Sequence, residues 1–125
     1  MSCTLTRVYS FEAAHWLPKV PDGHKCKTLH GHTFRVTVVV RGPIGDDGMV
    51  CDFAAIDALA RPLIARLDHR CLNDVEGLEN PTSELLAVWF CRELAEIPHL
   101  HAVRVSETER SCAEVLAMDA NGGLE

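Results

Sequence analysis

The sequence predicts an α+β fold in which an antiparallel sheet of four strands carries two helices on one of its faces. The predicted elements follow the order strand–strand–helix–helix–strand–strand, whereas a parallel sheet would alternate strands with helices. The chain has 125 residues, of which 47% are hydrophobic and 24% are charged, and this composition suits a single folded domain. We therefore treat residues 1–125 as one domain.

The first two strands are separated by a long loop. Residues 4–13 are rich in β-branched and aromatic side chains, and residues 33–41 (TFRVTVVVR) form the clearest strand of the sequence. The connection over 15–31 contains two prolines and two glycines. A loop of this length is usually functional, so we look for chemistry within it.

The middle of the chain predicts a short hairpin followed by a helix. The turn signal Gly42-Pro43 favours a hairpin that closes with residues 49–51. Asp52 is a good N-cap for a helix over 53–67, whose apolar residues recur on one face at helical spacing. Pro62 falls inside this helix and predicts a kink.

The last third of the chain predicts one more helix and two strands. Asn80-Pro81 has the pattern of an N-cap followed by a first-turn proline, and the helix should run to about Ile97. Residues 102–106 alternate as a strand, and residues 113–118 form a weaker one. A sheet this small leaves two open edges, so assembly of several copies through these edges is physically attractive.

Charge and hydropathy exclude several classes of protein. The net charge of -6 argues against sequence-independent nucleic-acid binding, which needs a basic face. No apolar run approaches the ~18 residues of a membrane span. The first residues lack the pattern of a secretory signal, so we expect a cytoplasmic protein whose six cysteines are reduced thiols.

His30 and His32 are the centre of a predicted metal site. They flank Gly31 in an extended segment, where residues two apart point to the same side. His15, at the end of the preceding strand, is the best third ligand because pairing of the first two strands could bring it close. Three neutral imidazoles with an open position are the pattern of a catalytic zinc site, although histidines also suit other transition metals.

The remaining histidines are weaker candidates for metal ligands. An H-x-H unit alone is common without a metal, and His24 raises the prediction only modestly. His24 lies in the long loop, where a pocket or surface role is more plausible than a fourth ligand. His99 and His101 fall at a predicted helix-to-strand connection and are expected to be solvated.

Cys26 is the cysteine whose neighbours argue for chemistry. It lies four residues before His30 and is flanked by Lys25 and Lys27. Ammonium groups and a nearby divalent metal favour the thiolate, which could act as a general base. Cys26 together with His30 and His32 fits a structural Cys/His site equally well. A small zinc-stabilised binding module therefore stays open as the non-enzymatic alternative.

Two acidic residues complete the candidates. Asp68 can orient the imidazole of His69 for proton transfer near neutral pH, although solvated polar residues at a helix end give the same pattern. Glu107 closes a strand and can accept two hydrogen bonds from a guanidine-like ring edge. Its alternative interpretation is a solvated strand end.

Five sequence blocks now identify a resemblance that extends over about residues 5 to 112. Together they are similar to the 6-pyruvoyl-tetrahydropterin synthase family, and in particular to its 6-carboxy-5,6,7,8-tetrahydropterin synthase branch. No single block would be specific, but five in the right order are. The blocks are FEAAHWLP at 11–18, HKCKTLHGHTF at 24–34, LDHRCLND at 67–74, LENPTSE at 78–84 and SET at 106–108.

The resemblance implies the tunnelling fold, or T-fold, in which an antiparallel four-stranded sheet carries two helices on one side. Strands of three subunits then join into one barrel, and two such rings stack as a homohexamer with active sites between subunits. It also assigns roles to the candidate residues. The implied Zn²⁺ ligands are His15, His30 and His32; the catalytic residues are Cys26, Asp68 and His69; and Glu107 anchors a pterin ring with Thr108 close by.

The implied reaction converts 7,8-dihydroneopterin triphosphate and water into 6-carboxy-5,6,7,8-tetrahydropterin, acetaldehyde and triphosphate, a step toward queuosine and other 7-deazapurines. The short C-x-x-x-H-G-H spacing that begins at Cys26 resembles this branch. A synthase of the 6-pyruvoyl product, or of an aldehyde derived from dihydroneopterin, is the runner-up. Lys19, Lys25 or Lys27 could attract the triphosphate. The tail after Cys112 departs from the branch and leaves the C-terminal edge of the pocket open.

Overall fold

The computed structural model describes residues 1–122, which form an α+β fold with a mainly antiparallel sheet. The five strands are β1 (Ser2–His15), β2 (His30–Pro43), β3 (Arg70–Cys71), β4 (Leu100–Thr108) and β5 (Ser111–Leu116). The helices are α1 (Phe53–Leu67), α2 (Ser83–Glu93) and α3 (Ala117–Asn121). Within the described residues, no helix is long and apolar enough to cross a membrane.

The sheet order is β3-β1-β2-β4-β5, and the four long strands are antiparallel to their neighbours. This arrangement confirms the predicted four-stranded antiparallel sheet. The sequence analysis missed β3, which pairs in parallel with β1 at Ala13 and Ala14 only. Two residues are too few to show a strand pattern in a sequence. Within residues 1–122, the outer edge of β1 is unpaired beyond this short contact, and so is the outer edge of β5.

Both long helices cover the same face of the sheet. Phe90 of α2 contacts the ring of Phe11 in β1, with centroids 6.4 Å apart. Asp57 of α1 accepts hydrogen bonds from Arg7, which lies on the same side of β1 as Phe11. Val8 alternates to the other face and is 54% exposed. The core therefore lies between the two helices and one side of the sheet.

A charged cluster ties α1 to β1. Arg7 donates hydrogen bonds to the two carboxylate oxygens of Asp57 at 3.0 and 2.8 Å, and the hydroxyl of Tyr9 donates to the same carboxylate. The hydrogen bonds from Arg7, and next those from Tyr9, hold the pKa of Asp57 well below its usual value. Burial, with the Asp57 contact, raises the pKa of Tyr9 to about 12.

The prediction of α1 is confirmed, whereas the prediction of a hairpin before it is wrong. Asp52 caps the helix by accepting the Ala54 N–H at 2.8 Å, and α1 continues through Pro62, whose expected kink stays a prediction. Residues 49–51 form no strand; instead the chain turns back through a hydrogen bond from Gly45 N–H to the Met49 carbonyl. β2 already has β1 on one side and β4 on the other, so a further hairpin strand has no free edge to join.

The predicted cap of α2 is also wrong by two residues. Thr82 is the N-cap, and its hydroxyl accepts the Leu85 N–H at 3.1 Å. The Thr82 N–H donates to the Asn80 carbonyl at 2.9 Å, which forms a tight turn before the helix, and threonine is itself a favoured cap, so the helix begins after Thr82. Its regular part ends at Glu93, before the expected Ile97.

The end of the chain differs from the single weak strand that was expected. β5 stops at Leu116, and the short helix α3 follows it. Asn121 donates a hydrogen bond from Nδ2 to the Cys91 carbonyl, and Arg92 donates from Nε to the Ala120 carbonyl. These contacts dock α3 on the last turn of α2, at the end of that helix opposite to Ser83.

Candidate metal and catalytic site

Three imidazoles meet at the end of the β1–β2 hairpin. His15 pairs with His30 in the strand register, and His32 lies two residues further along β2, on the same side. One ligand atom from each ring lies within 4.8 Å of the others, so a single metal ion could contact all three. The sequence prediction that strand pairing would gather these residues agrees with this geometry.

Backbone carbonyls set the orientation of two of the rings. His15 donates from Nδ1 to the Pro81 carbonyl at 2.8 Å, and His30 donates from Nδ1 to the Thr28 carbonyl at 2.6 Å. A carbonyl oxygen only accepts, so each Nδ1 carries the proton and each Nε2 keeps its lone pair. In metalloproteins, a hydrogen bond of this kind from the other ring nitrogen orients a histidine ligand.

The burial of His15 supports a metal at this position. The side chain is 1% exposed, and its Nε2 is buried with no hydrogen-bond partner in the described part of the chain. A buried polar atom without a partner needs an explanation, and coordination to a metal supplies one. Burial also lowers the pKa of His15, which favours the neutral imidazole that a metal requires. The three histidines therefore fit a metal ion.

The site rests on the hydrophobic core. The rings of His15 and His32 make edge-on contacts with Phe34, with centroid distances of 5.3 and 5.6 Å. Phe34 is fully buried and stacks on Phe11 in the neighbouring strand. Because close-packed aromatic side chains hold the imidazoles from below, the ligand geometry is set by the fold before any ligand binds.

Glu107 lies against the histidines, a contact that the sequence analysis did not foresee. Its Oε2 is 3.4 Å from Nε2 of His32, and its Oε1 is 3.8 Å from Nε2 of His15. Ser83, the first residue of α2, donates its hydroxyl to Glu107 Oε1 at 3.0 Å. The hydroxyl of Thr108 faces the β4–β5 turn, where it accepts the Arg110 N–H at 3.2 Å.

Cys26 lies on a single 3-10 turn, Lys25–Lys27, in the loop between β1 and β2. The Cys26 carbonyl accepts the Leu17 N–H at 2.8 Å, and the Cys26 N–H donates to Nδ1 of His24 at 3.0 Å. Among residues 1–122, the group of mutually close ligand atoms contains neither Cys26 nor His24. This geometry favours His15, His30 and His32 as the ligand set without the Cys26 thiol.

The lysines of the same loop differ in their contacts. Lys27 binds Asp22 through Nζ at 2.8 Å and also donates to the Val20 carbonyl at 3.3 Å. Its ammonium group is therefore used to hold the loop together. Lys19 lines a separate groove beside Trp89 of α2.

Asp68 and His69 form a contact pair at the end of α1. Asp68 Oδ2 is 3.0 Å from Nδ1 of His69, while Asp68 Oδ1 accepts the Glu12 N–H at 3.0 Å. The hydrogen bond from Glu12, with that from His69, lowers the pKa of Asp68. His69 donates its own N–H to the Glu12 carbonyl at 2.6 Å and has a φ of 59°. Glu12 thus holds both residues to β1 through its backbone.

The side chain of His69 is 78% exposed and lines an open groove with His32 and Thr33. A non-glycine residue in the left-handed region is strained and persists where neighbouring contacts hold it. Here the backbone hydrogen bond to Glu12 holds it. The position presents a histidine ring to the surface with its Nδ1 already bound by Asp68.

Several residues that build the site were absent from the sequence prediction. Asn73 clamps the residue after His15: it accepts the Trp16 N–H at 3.0 Å and donates to the Trp16 carbonyl at 2.7 Å. Pro81 and Ser83 act through a carbonyl and a hydroxyl, as described above. All three lie in the sequence blocks 67–74 and 78–84, so the available signal was the block itself rather than a recognisable chemical group.

The sequence is similar to known proteins of one family. The sequence model of 6-pyruvoyl tetrahydropterin synthase matches residues 4–117. The chain is 47% identical over 113 residues to a Synechocystis protein named 6-carboxy-5,6,7,8-tetrahydropterin synthase, with 84% of this chain and 86% of that protein covered. It is 39% identical over 85 residues to the Pyrococcus furiosus dihydroneopterin monophosphate aldolase, with 68% of each chain covered.

A solved structure of the same family has the same fold. The structure of Caenorhabditis elegans 6-pyruvoyl tetrahydropterin synthase superposes with a TM-score of 0.85 and 30% sequence identity. The match covers 93% of this chain and 96% of the nematode chain. The similarity therefore extends over the whole arrangement of strands and helices described above.

Proposed function

The chain belongs to the 6-pyruvoyl tetrahydropterin synthase family, and from this premise we propose that it is a zinc-dependent lyase. The reaction converts 7,8-dihydroneopterin triphosphate and water into 6-carboxy-5,6,7,8-tetrahydropterin, acetaldehyde and triphosphate, in the biosynthesis of queuosine precursors. The observation that carries this proposal is the 47% identity, over 84% of the chain, to a relative named for this product. All six cysteines are free thiols, which suits a reducing cytoplasm.

In this proposal His15, His30 and His32 hold the zinc ion. Their support is the common side of the hairpin, the Nε2 lone pairs that the Nδ1 hydrogen bonds of His15 and His30 leave free, and the burial of the His15 Nε2 without a partner in the described residues. A zinc ion bound by three imidazoles supplies Lewis-acid polarisation of a substrate hydroxyl or carbonyl. Zinc is preferred because three imidazoles with an open position are the usual ligand set of a catalytic zinc ion. The same ligands also suit other transition metals.

Cys26 and the Asp68–His69 pair handle the protons. The Cys26 thiolate is the base that removes or returns a proton at the substrate carbon next to the ring. His69 is the opposing acid or base, because its ring is exposed and its Nδ1 is bound to the carboxylate of Asp68. That contact fixes the tautomer and stabilises the imidazolium when the ring takes up a proton.

Glu107 anchors the pterin ring. Its carboxylate can accept two hydrogen bonds from the guanidine-like edge of the ring, which is a strong, charge-assisted arrangement. The hydroxyl of Ser83 already orients one oxygen of this carboxylate, and the nearness of Glu107 to His32 supports a ring edge bound close to the metal ligands. Thr108, the next residue of β4, is the second binding residue of the proposal.

The active enzyme is proposed to be a homohexamer with its sites between subunits. The open edges of β1 and β5 support pairing of strands from different chains. The exposed ring of His69 supports a site that a neighbouring subunit completes. Of the three lysines of the loop, Lys25 is preferred for the triphosphate, because Lys27 is engaged with Asp22 and Lys19 lines a separate groove.

The experiment is incubation of the purified zinc-loaded protein with 7,8-dihydroneopterin triphosphate, followed by mass analysis of the pterin and the small fragments. We expect 6-carboxytetrahydropterin, acetaldehyde and triphosphate. A 6-pyruvoyl product would move the chain to the other synthase activity of the family. The similarity to the dihydroneopterin monophosphate aldolase supports a third outcome, in which the pterin side chain is cleaved in an aldolase reaction. No turnover by the zinc-loaded protein would refute the proposed activity.

A further inference from the structure

We propose that His24 is a positioning residue for Cys26, acting as an N-cap that fixes the backbone of the thiol-bearing turn. This inference rests on the proposed function, because it concerns the residue that is proposed to transfer protons. His24 is not in the metal cluster and lies on the surface of the long loop. Its ring nevertheless accepts a hydrogen bond from the backbone of Cys26.

The ring of His24 bonds directly to the main chain of Cys26. Nδ1 of His24 is 3.0 Å from the Cys26 amide nitrogen, which donates. His24 itself has φ of -69° and ψ of 133°, the extended conformation of a residue that precedes a helical turn. Because Nδ1 accepts, the ring must be neutral and its proton must be on Nε2.

The neighbouring bonds show that this cap closes a compact unit. The His24 carbonyl accepts the Lys27 N–H at 3.1 Å, and the Pro21 carbonyl accepts the His24 N–H at 3.0 Å. The bond to Pro21 lies just before the 3-10 turn, and the bond from Lys27 closes the turn. The side-chain bond from His24 adds the contact that fixes the residue in its middle.

The carbonyl of Cys26 is fixed by a separate part of the site. It accepts the N–H of Leu17, two residues after the metal-ligand candidate His15, at 2.8 Å. Asn73 holds Trp16 between them. Cys26 is therefore held on its carbonyl side by the segment that directly follows His15 and on its amide side by His24. Removing either contact should let the thiol move relative to the histidines.

The geometry gives a conservative replacement. In asparagine Oδ1 lies as many bonds from Cβ as Nδ1 does in histidine, and asparagine is among the best N-cap residues. His24→Asn can therefore restore the bond to the Cys26 amide, whereas His24→Ala cannot. A residue whose role was bulk or general stability would not distinguish the two replacements in this way.

The test compares wild type, His24→Ala and His24→Asn as zinc-loaded proteins, with the exposed His101→Ala as a matched control. Hydrogen exchange of the peptide that contains Cys26 is measured beside zinc content, kcat and KM. In His24→Ala we expect exchange to be about fivefold faster, the size of a typical lost cap. We also expect kcat to fall about tenfold with unchanged zinc and KM, because the thiol is misplaced. His24→Asn should restore both values, and His101→Ala should change neither.

The inference is overturned if exchange of the Cys26 peptide is the same in His24→Ala as in wild type, or if His24→Asn is as impaired as His24→Ala. The exchange readout separates this result from a failure of the proposed function. If Cys26→Ala keeps full turnover, the chemistry assigned to Cys26 is wrong. The exchange data then still decide whether His24 holds the turn.

Discussion

Ser83 donates its hydroxyl to Glu107 across 3.0 Å and so links the first turn of α2 to the end of β4 beside the three histidines. The carboxylate is thereby oriented before any substrate arrives. Its two oxygens differ in their surroundings: Oε1 takes the serine hydroxyl, and Oε2 lies 3.4 Å from His32. This arrangement makes the Glu107 carboxylate a directional acceptor rather than a free surface charge.

Glu107→Gln should weaken pterin binding by about 10-fold or more, because a neutral amide cannot replace a charge-assisted bidentate contact. The thermal midpoint should change little, since the carboxylate is at the surface of the pocket. The measurement is the Kd of a pterin ligand by titration, with Ser83→Ala as a milder variant that leaves the charge in place. An unchanged Kd in Glu107→Gln would refute the anchor.

Chelation of the metal should abolish activity and leave the domain folded. The core beneath the site is apolar and includes Phe11 and Phe34, so it does not depend on a metal for its burial. His30→Ala and His32→Ala should each lose bound metal while keeping the far-ultraviolet circular dichroism of wild type. His101→Ala is the control for removing a histidine. Full metal retention in both ligand variants, or unfolding on chelation, would contradict the catalytic three-histidine site.

Cys26→Ala should keep its zinc and lose turnover. The thiol lies outside the group of close ligand nitrogens in the described chain, so its removal takes away a base and not a ligand. Metal analysis and a turnover assay measure the two effects separately. Cys112→Ala, which alters an exposed thiol of β5, is the control. Loss of zinc together with Cys26 would assign the thiol to the metal instead.

Cys26→Ala and His69→Ala subunits should complement each other when unfolded together and reassembled in equal amounts. If each site takes its thiol from one chain and its imidazole from a neighbour, about one quarter of sites receive both intact groups under random assembly. Activity should return to roughly that fraction of wild type. Mixed oligomers verified by mass that recover no activity would rule out a shared site.

Asp57→Asn should destabilise the chain at neutral pH and have less effect in acid. Because Arg7 and Tyr9 depress the folded-state pKa of Asp57, its stabilising contribution is fully present above the unfolded value of about 3.9; it declines as the pH falls below that value and is lost once the pH passes the folded-state pKa. The measurement is the Tm of both proteins from pH 7 down to the lowest pH at which the wild type still folds, with Asp46→Asn as a surface control. A difference in Tm that stays constant as the pH falls well below the unfolded value would contradict the assignment.

The predicted convergence of His15, His30 and His32 agrees with the structure because strand geometry alone brings them together. His30 and His32 share a side through the two-residue period of a strand, and His15 is the register partner of His30. Periodicity and pairing are local rules, so they can be read from a sequence. The same reasoning gave the helix that Asp52 caps.

The residues that the sequence analysis missed act through contacts that no local rule contains. The Pro81 carbonyl reaches His15 from 66 positions away, and a backbone oxygen leaves no mark on the sequence. His24 is an exception: its partner is a backbone amide only two residues away, but histidine is not among the favoured N-cap residues, so its position suggested a ligand, pocket or surface role instead. The hairpin at 49–51 failed because the sheet order, which decides whether β2 has a free edge, is a property of the whole fold.

The place of His15 and His30 in the hairpin has a consequence for chain entropy. They are the last paired residues before the loop over 16–29, which carries Cys26. A metal held by both would close that loop into a ring, in the way that a disulfide does at the mouth of a hairpin. Such a cross-link reduces the number of conformations open to the loop in the folded protein. The ion that polarises the substrate would then also restrain the segment that carries the thiol.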